Sequence, residues 1–246
     1  VSQAQLPVEH FTALSALPQV VHGFTLHVPG IEMSHAKAEA LARLDGVHRK
    51  IRAEHQLCAA PFITAQQIHG KEIAVMNVAI SADKCFGNCD GIIADQPGIC
   101  LGIYVADCCA VYLVDPVRRA IGLVHSGKKG TELGVVPNAV KTMTDQFGTR
   151  PADLVIQLSP CIRPPHYEID FAADIARQCR ELGVTSIHDS GVCTACDLTR
   201  YYSYRAEKGR TGRMLAFMAL RENSVLEPAR PRAGRDELLL RAPPTA

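Results

Sequence analysis

The chain has 246 residues, 47% of them apolar and 21% charged, which is enough apolar material for a full core and excludes disorder or low complexity. Lys and Arg number 26 against 25 Asp and Glu, a formal net charge of +1, so no global field draws the chain to nucleic acid, an anionic membrane or an acidic partner. No apolar run approaches the ~20 residues of a membrane span, and VSQAQLPVEHF at the start carries no basic head followed by an apolar stretch, so the expected location is cytoplasmic.

Residues 1–222 are expected to form one domain, without internal repeats or linkers. From Ser34 to Leu57 the spacing of Ala38, Leu41, Leu44, Val47, Ile51 and Leu57 predicts a helix, with Ser34 as its N-cap. Two apolar runs, ICLGIYVA and AVYLV, lie between Ile99 and Pro116 and are split by Asp107-Cys108-Cys109; they predict paired buried strands. A third strand, Ala120–Val124, follows the turn at Asp115-Pro116. Leu133, Val136, Val140, Met143 and Phe147 recur at helical spacing ahead of Gly148, which places His125 at a strand-to-helix junction. A strand over Leu154–Leu158, a helix over Phe171–Leu182 closed by Gly183, and strands over Tyr201–Tyr204 and Met214–Leu220 complete the pattern. Neighbouring strands with separated helices imply an α+β fold. The Pro- and Arg-rich tail, 223–246, reads as surface-packed or frayed.

Ten cysteines in a reducing compartment stay as thiols, available for burial, metal binding or nucleophilic chemistry. His69, Cys108 and His125 each end an apolar segment, and two imidazoles with one thiolate make a zinc set with an open position; satisfied strand-end histidines and a buried thiol are the structural alternative. His166-Tyr167-Glu168 followed by Cys193-Thr194-Ala195-Cys196 approximates the H-x-E…P-C-x-x-C signature of zinc deaminases. Val192 stands where that signature has Pro, so the match is read as chance. Gly122–Lys129 nearly spells a phosphate loop, but Lys129 replaces the Ser/Thr that holds magnesium; only a local anion site or a solvated basic turn is left. Cys85 and Cys89 could join Cys193 and Cys196 around a structural zinc, though unpaired thiols fit their distance in sequence better.

Taken in order, QQIHG (66–70), DGIIADQPGICLGIYVADC (90–108), HSGKKG (125–130), LSPCIRPPHYEI (158–169) and YYSYRAEKGRTGRM (201–214) resemble the YfiH-like family, also called DUF152 or the polyphenol-oxidoreductase laccase domain. The resemblance implies a single α+β domain whose mixed sheets are sandwiched between helices in α-β-β-α layers. It also implies zinc, with copper as the alternative, at His69, Cys108 and His125. The implied activity is phosphorolysis of adenosine, inosine, guanosine or methylthioadenosine, with adenosine deamination as a companion reaction. The expected partners are therefore a purine nucleoside and phosphate. A copper-dependent, laccase-like polyphenol oxidase and a non-catalytic binder of nucleosides or of a protein are the rival readings. Lys128-Lys129 replaces the family's Trp-Arg, His27 stands where an Arg is expected, and Pro165-His166 replaces a frequent Cys pair. Under this reading Lys129, Arg205, Arg213 and His27 are candidates for phosphate or substrate binding, while Asp107, beside the ligand Cys108, is the candidate proton carrier.

Overall fold

A computed structural model describes residues 6–78 and 80–222; the tail expected over 223–246 lies outside them. In chain order the strands are β1 (Val8–Glu9), β2 (Val20–Thr25), β3 (Phe62–Ala65), β4 (Ile73–Met76), β5 (Lys84–Phe86), β6 (Gly91–Ala94), β7 (Cys100–Val105), β8 (Cys109–Asp115), β9 (Ala120–Ser126), β10 (Val155–Leu158), β11 (Ser186–Asp189) and β12 (Met214–Leu220). The helices are α1 (Thr12–Ser15), α2 (Lys37–Glu54), α3 (Lys128–Glu132), α4 (Val135–Phe147) and α5 (Phe171–Glu181).

The strands form two six-stranded sheets, ordered β1-β2-β12-β7-β3-β5 and β11-β10-β8-β9-β6-β4. Both are mixed: β3 runs parallel to β7 and β5, β6 parallel to β4, and β10 parallel to β11, while the other pairs are antiparallel. Leu101, Ile103, Met214, Ala216 and Met218 of the first sheet meet Ala110, Tyr112, Val114, Ile121 and Leu123 of the second in the central core. The alternate residues of β7 and β12, among them Cys100, Leu215 and Phe217, pack outward with Ile51 of α2. Those of β8 and β9, Val111, Leu113 and Val124, pack outward with Val136 and Val140 of α4 and Ile175 of α5. The order is thus helix, sheet, sheet, helix, the mixed α+β architecture expected. It explains why the central strands are unbroken apolar runs: both of their faces are buried.

Helix α4 ends at Gly148, whose φ of +68° is a left-handed closure, and Gly183 has φ +90° just beyond α5. Two expectations change. The helix after Ser34 begins at Lys37 with Ala36 as N-cap; the Ser34 hydroxyl accepts from the Ala36 N–H and donates to Glu39, ahead of the helix proper. Tyr201–Tyr204 form no strand. Tyr201 and Tyr202 fill the core, the Tyr202 N–H donates to Met214 Sδ, and the chain then turns back through Glu207 N–H to Ser203 C=O and Gly209 N–H to Tyr204 C=O.

Candidate metal centre and active site

Three chain segments converge on one point. His69 lies in the connection between β3 and β4, Cys108 in the tight link between β7 and β8, and His125 is the penultimate residue of β9. Their potential ligand atoms all lie within 4.8 Å of one another. His69 Nε2 is 4.0 Å from Cys108 Sγ, and the two imidazoles meet edge to face with centroids 4.8 Å apart.

The backbone bends unusually to achieve this. Gln67, His69 and Asp107 have φ of +62°, +60° and +84°, a left-handed region costly for residues other than glycine and retained where the surroundings enforce it. Asp90, wholly buried at the head of β6, supplies the enforcement. Its carboxylate accepts the N–H groups of Ile68, His69 and Gly70 at 3.2, 2.8 and 2.7 Å. It also takes His125 Nδ1 at 2.9 Å, which leaves His125 Nε2 as the ring's ligand atom and fixes the ring plane. Gln67 adds a strand-like pair, donating to the Tyr104 carbonyl at 2.6 Å and accepting the Tyr104 N–H at 3.1 Å.

Burial raises the Asp90 pKa, but the His125 bond and the backbone donors outweigh it and hold the carboxyl below its usual range. Burial likewise pushes the Cys108 thiol up, yet His125 and His69 outweigh burial and bring it down. For His125 burial opposes the charge, and Cys108 and Asp90 together more than reverse it. The two shifts favour a thiolate on Cys108 paired with a proton on His125, a proton that a metal ion would replace. One thiolate and two imidazoles, one of them oriented by a buried carboxylate, suit a soft or borderline metal ion.

This cluster is part of the wall of a cavity of about 520 Å³, within the size range of small-molecule sites. Ile162, Tyr167, Phe171 and Tyr204 supply apolar and aromatic surface; Lys37, Lys128, Arg205 and Arg213 supply positive charge. Arg205 lies over the Tyr167 ring at 4.8 Å and bonds Glu168 at 3.2 Å, and Lys128 Nζ reaches Glu168 at 3.5 Å. Lys37 and Arg213 are different. Among the described residues neither has a carboxylate within ion-pair distance; Lys37 donates to the Gln66 carbonyl and Arg213 to the Thr211 and Gly212 carbonyls. Burial, then the charge of Arg213, holds the Lys37 ammonium below its ordinary pKa.

Of the residues singled out in the sequence, His69, Asp107, Cys108, His125, Arg205 and Arg213 line the cavity. Lys129 and His27 are not part of its wall. Successive helical residues diverge by about 100°, so Lys128 faces the cavity where α3 begins and Lys129 does not. His27 packs against Tyr202 with the rings tilted, centroids 4.6 Å apart. Asp107 does not present a free carboxylate: Oδ1 accepts from the Thr194 hydroxyl and Oδ2 from the Arg205 N–H, both at 2.7 Å, while its carbonyl accepts from Ile162 N–H at 2.8 Å. It ties three cavity segments together, which favours a positioning role over proton transfer. Sequence reasoning missed Asp90, Gln67 and Lys37, whereas Lys128 belongs to the basic turn read as a local anion site. Asp90 alone left a local signal, an acid immediately before an apolar strand.

A thiolate–imidazole cluster set beside a cationic, aromatic cavity in two stacked mixed sheets defines an α+β protein with a candidate soft-metal site. Residues 30–174 and 166–221 match the family described as multi-copper polyphenol oxidoreductase laccase, and the chain belongs to that laccase-domain family. It is 27% identical over 199 residues to "Purine nucleoside phosphorylase YlmD" of Geobacillus stearothermophilus, covering 65% of this chain and 73% of the relative. It is 29% identical over 235 residues to a "Purine nucleoside phosphorylase" of Deinococcus radiodurans, covering 82% and 89%. The crystal structure of the Geobacillus stearothermophilus YlmD superposes with TM-score 0.72 at 22% identity, over 84% of this chain and 93% of that one. Bacillus licheniformis YfiH, described as hypothetical, gives TM-score 0.71 at 23% identity, over 82% and 93%. No helix among the described residues is long and apolar enough to cross a membrane.

Proposed function

We propose that the chain is a zinc-dependent purine nucleoside phosphorylase acting on adenosine, inosine, guanosine or methylthioadenosine, with His69, Cys108 and His125 holding the metal. The observation that carries this reading is the half-buried pair Lys37 and Arg213, cations without carboxylate partners among the described residues, on the wall of the cavity that also contains the donor cluster and the aromatic surface. Two positive charges held near each other in a partly desolvated wall repel one another, and a phosphate dianion relieves that repulsion while gaining hydrogen bonds.

In phosphorolysis a phosphate oxygen bonds to the anomeric carbon as the C–N bond breaks and its electron pair leaves with the purine. Holding phosphate and nucleoside together supplies much of the rate. Tyr167, Phe171 and Ile162 offer apolar and aromatic surface for the base. Arg205, anchored through its backbone by Asp107 and through its side chain by Glu168, adds charge at the rim. Asp90 keeps His125 in one orientation. When bound to the cluster, zinc supplies Lewis-acid polarisation of a phosphate or sugar oxygen. The names of the relatives support this substrate class.

Incubation of metal-loaded protein with adenosine or inosine, with and without phosphate, and chromatography of the products test the proposal. Free base and pentose 1-phosphate are expected only when phosphate is present, and Lys37→Ala should raise the KM for phosphate about tenfold or more, consistent with loss of a charge-assisted bond. Base release independent of phosphate, nucleoside binding without base release, or conversion of adenosine to inosine alone overturns it. Turnover of phenols by copper-loaded protein, with no base release, decides for the oxidase.

A further inference from the structure

We propose that His166, Cys193 and Cys196 form a second metal site that ties two loops together and takes a thiophilic divalent cation of the zinc class. The site is separate from the cavity cluster and shares no ligand with it. The motif that looked like a chance match to a deaminase signature does converge in space, but Glu168 is not part of it. That carboxylate turns to Lys128 and Arg205 instead.

Geometry is the first argument. Cys196 Sγ and Cys193 Sγ lie 3.5 and 3.7 Å from His166 Nδ1, and all three atoms lie within 4.8 Å of one another. Zinc at ~2.3 Å from sulfur and ~2.0 Å from nitrogen in a tetrahedron separates S and N ligands by about 3.5 Å. The two sulfur–nitrogen separations thus already match the edge of a coordination tetrahedron. The backbone explains why. Thr194–Cys196 is a single 3₁₀ turn closed by Cys196 N–H to Cys193 C=O, and in a 3₁₀ turn positions three apart eclipse, so both thiols emerge on one side. His166 arrives from a second turn, where its own N–H donates to the Arg163 carbonyl.

The loop that bears His166 also reaches the sulfur directly: the Arg163 N–H donates to Cys193 Sγ at 3.4 Å. Cys193 is half-buried and Cys196 exposed, both as free thiols. Three protein donors leave the fourth position facing solvent.

A cation at this point would add to the bonds that already join two loops. These include the Cys161↔Cys193 bridge with its flanking Cys161 N–H to Val192 C=O and Thr194 N–H to Cys161 C=O, the Arg163 N–H to Cys193 Sγ bond and the Arg163–Asp189 ion pair. Both loops serve the cavity: one carries Ile162 and Tyr167, and the other carries Thr194, which donates to Asp107.

Metal analysis of the full chain, stripped with chelator under reducing conditions, reloaded and desalted, tests the proposal independently of any enzymatic activity. About two zinc ions per chain are expected in the parent, about one in Cys108→Ala, about one in Cys196→Ser, and none in the double variant. Cobalt-loaded Cys108→Ala should show near-ultraviolet thiolate-to-metal charge transfer that disappears in Cys108→Ala/Cys196→Ser. Circular dichroism establishes that each variant is folded, and Cys196 is exposed enough for serine to be accommodated. A folded Cys108→Ala protein without tightly bound metal, unchanged stoichiometry in Cys196→Ser, or a Cys193–Cys196 disulfide persisting in reduced protein overturns the second site.

Discussion

Gly127, at the junction of β9 and α3, shows how little room the Cys108 sulfur has. A Cβ built there would lie 2.5 Å from Cys108 Sγ, a separation that forces one of the two atoms away. Gly127→Ala should therefore leave the fold intact but weaken metal binding about tenfold or more, as loss of other ligand-orienting contacts does; competition with a chromophoric chelator measures it. Unchanged affinity would mean that Cys108 is not a ligand. At this scale His69, Cys108 and His125 were legible because each closes an apolar segment and their order matches a known family. Asp90 and Lys37 were not. The value of Asp90 lies in four donors brought to it from two other segments, and that of Lys37 in the carboxylates that fail to reach it; neither condition is local in sequence.

Helix α2 carries a second consequence of burial. His48 is 3% exposed, packs on Tyr104 of β7 with centroids 5.7 Å apart, and among the described residues finds no partner for either ring nitrogen. Burial, against a small opposing pull from Asp45, lowers its pKa from 6.5 to about 4. The folded protein therefore keeps this ring neutral while the unfolded chain protonates it. Its contribution is fully present above pH 6.5 and is lost as pH falls toward 4; by pH 5 the loss is about 2 kcal/mol. His22, lowered to about 4 mainly by burial, acts in the same direction. His48→Leu should raise stability at pH 7 by about 1 kcal/mol, since a buried polar group without partners is removed, and should flatten the decline between pH 7 and 5. Urea denaturation at the two pH values reads both effects. The elements themselves were legible where burial was extreme: β7, β8, β9 and β12 stand out as apolar runs, and α4 and α5 as stripes closed by glycine. Strands β1 and β3 to β6, with two to four residues each, are too short to impose a period. Tyr201 and Tyr202 serve core filling and Tyr204 the cavity wall, not sheet pairing.

For the whole molecule, the two sheets are held together by apolar contact and by one polar tie through the middle. Tyr112 of β8 is fully buried, and its hydroxyl donates to the Gly23 carbonyl of β2 at 2.8 Å. Tyr112→Phe should cost about 1–2 kcal/mol by leaving that carbonyl short of a donor, seen as a lower urea midpoint with an unchanged m-value and unchanged metal content. The layering was legible only as a class, α+β. Which strand neighbours which depends on long-range pairing, such as β12 inserting between β2 and β7, that no local pattern encodes.

The sheets also finish in short strands. Their outermost members, β1, β5, β11 and β4, run for only two, three, four and four residues, against seven in β8, β9 and β12. Free backbone groups on an outer strand are what a foreign chain would template on, and brevity is a common defence against it. Crowded copies of this molecule thus meet borders too brief to zip into fibrils, even though the apolar strands between those borders would be strongly adhesive if laid bare.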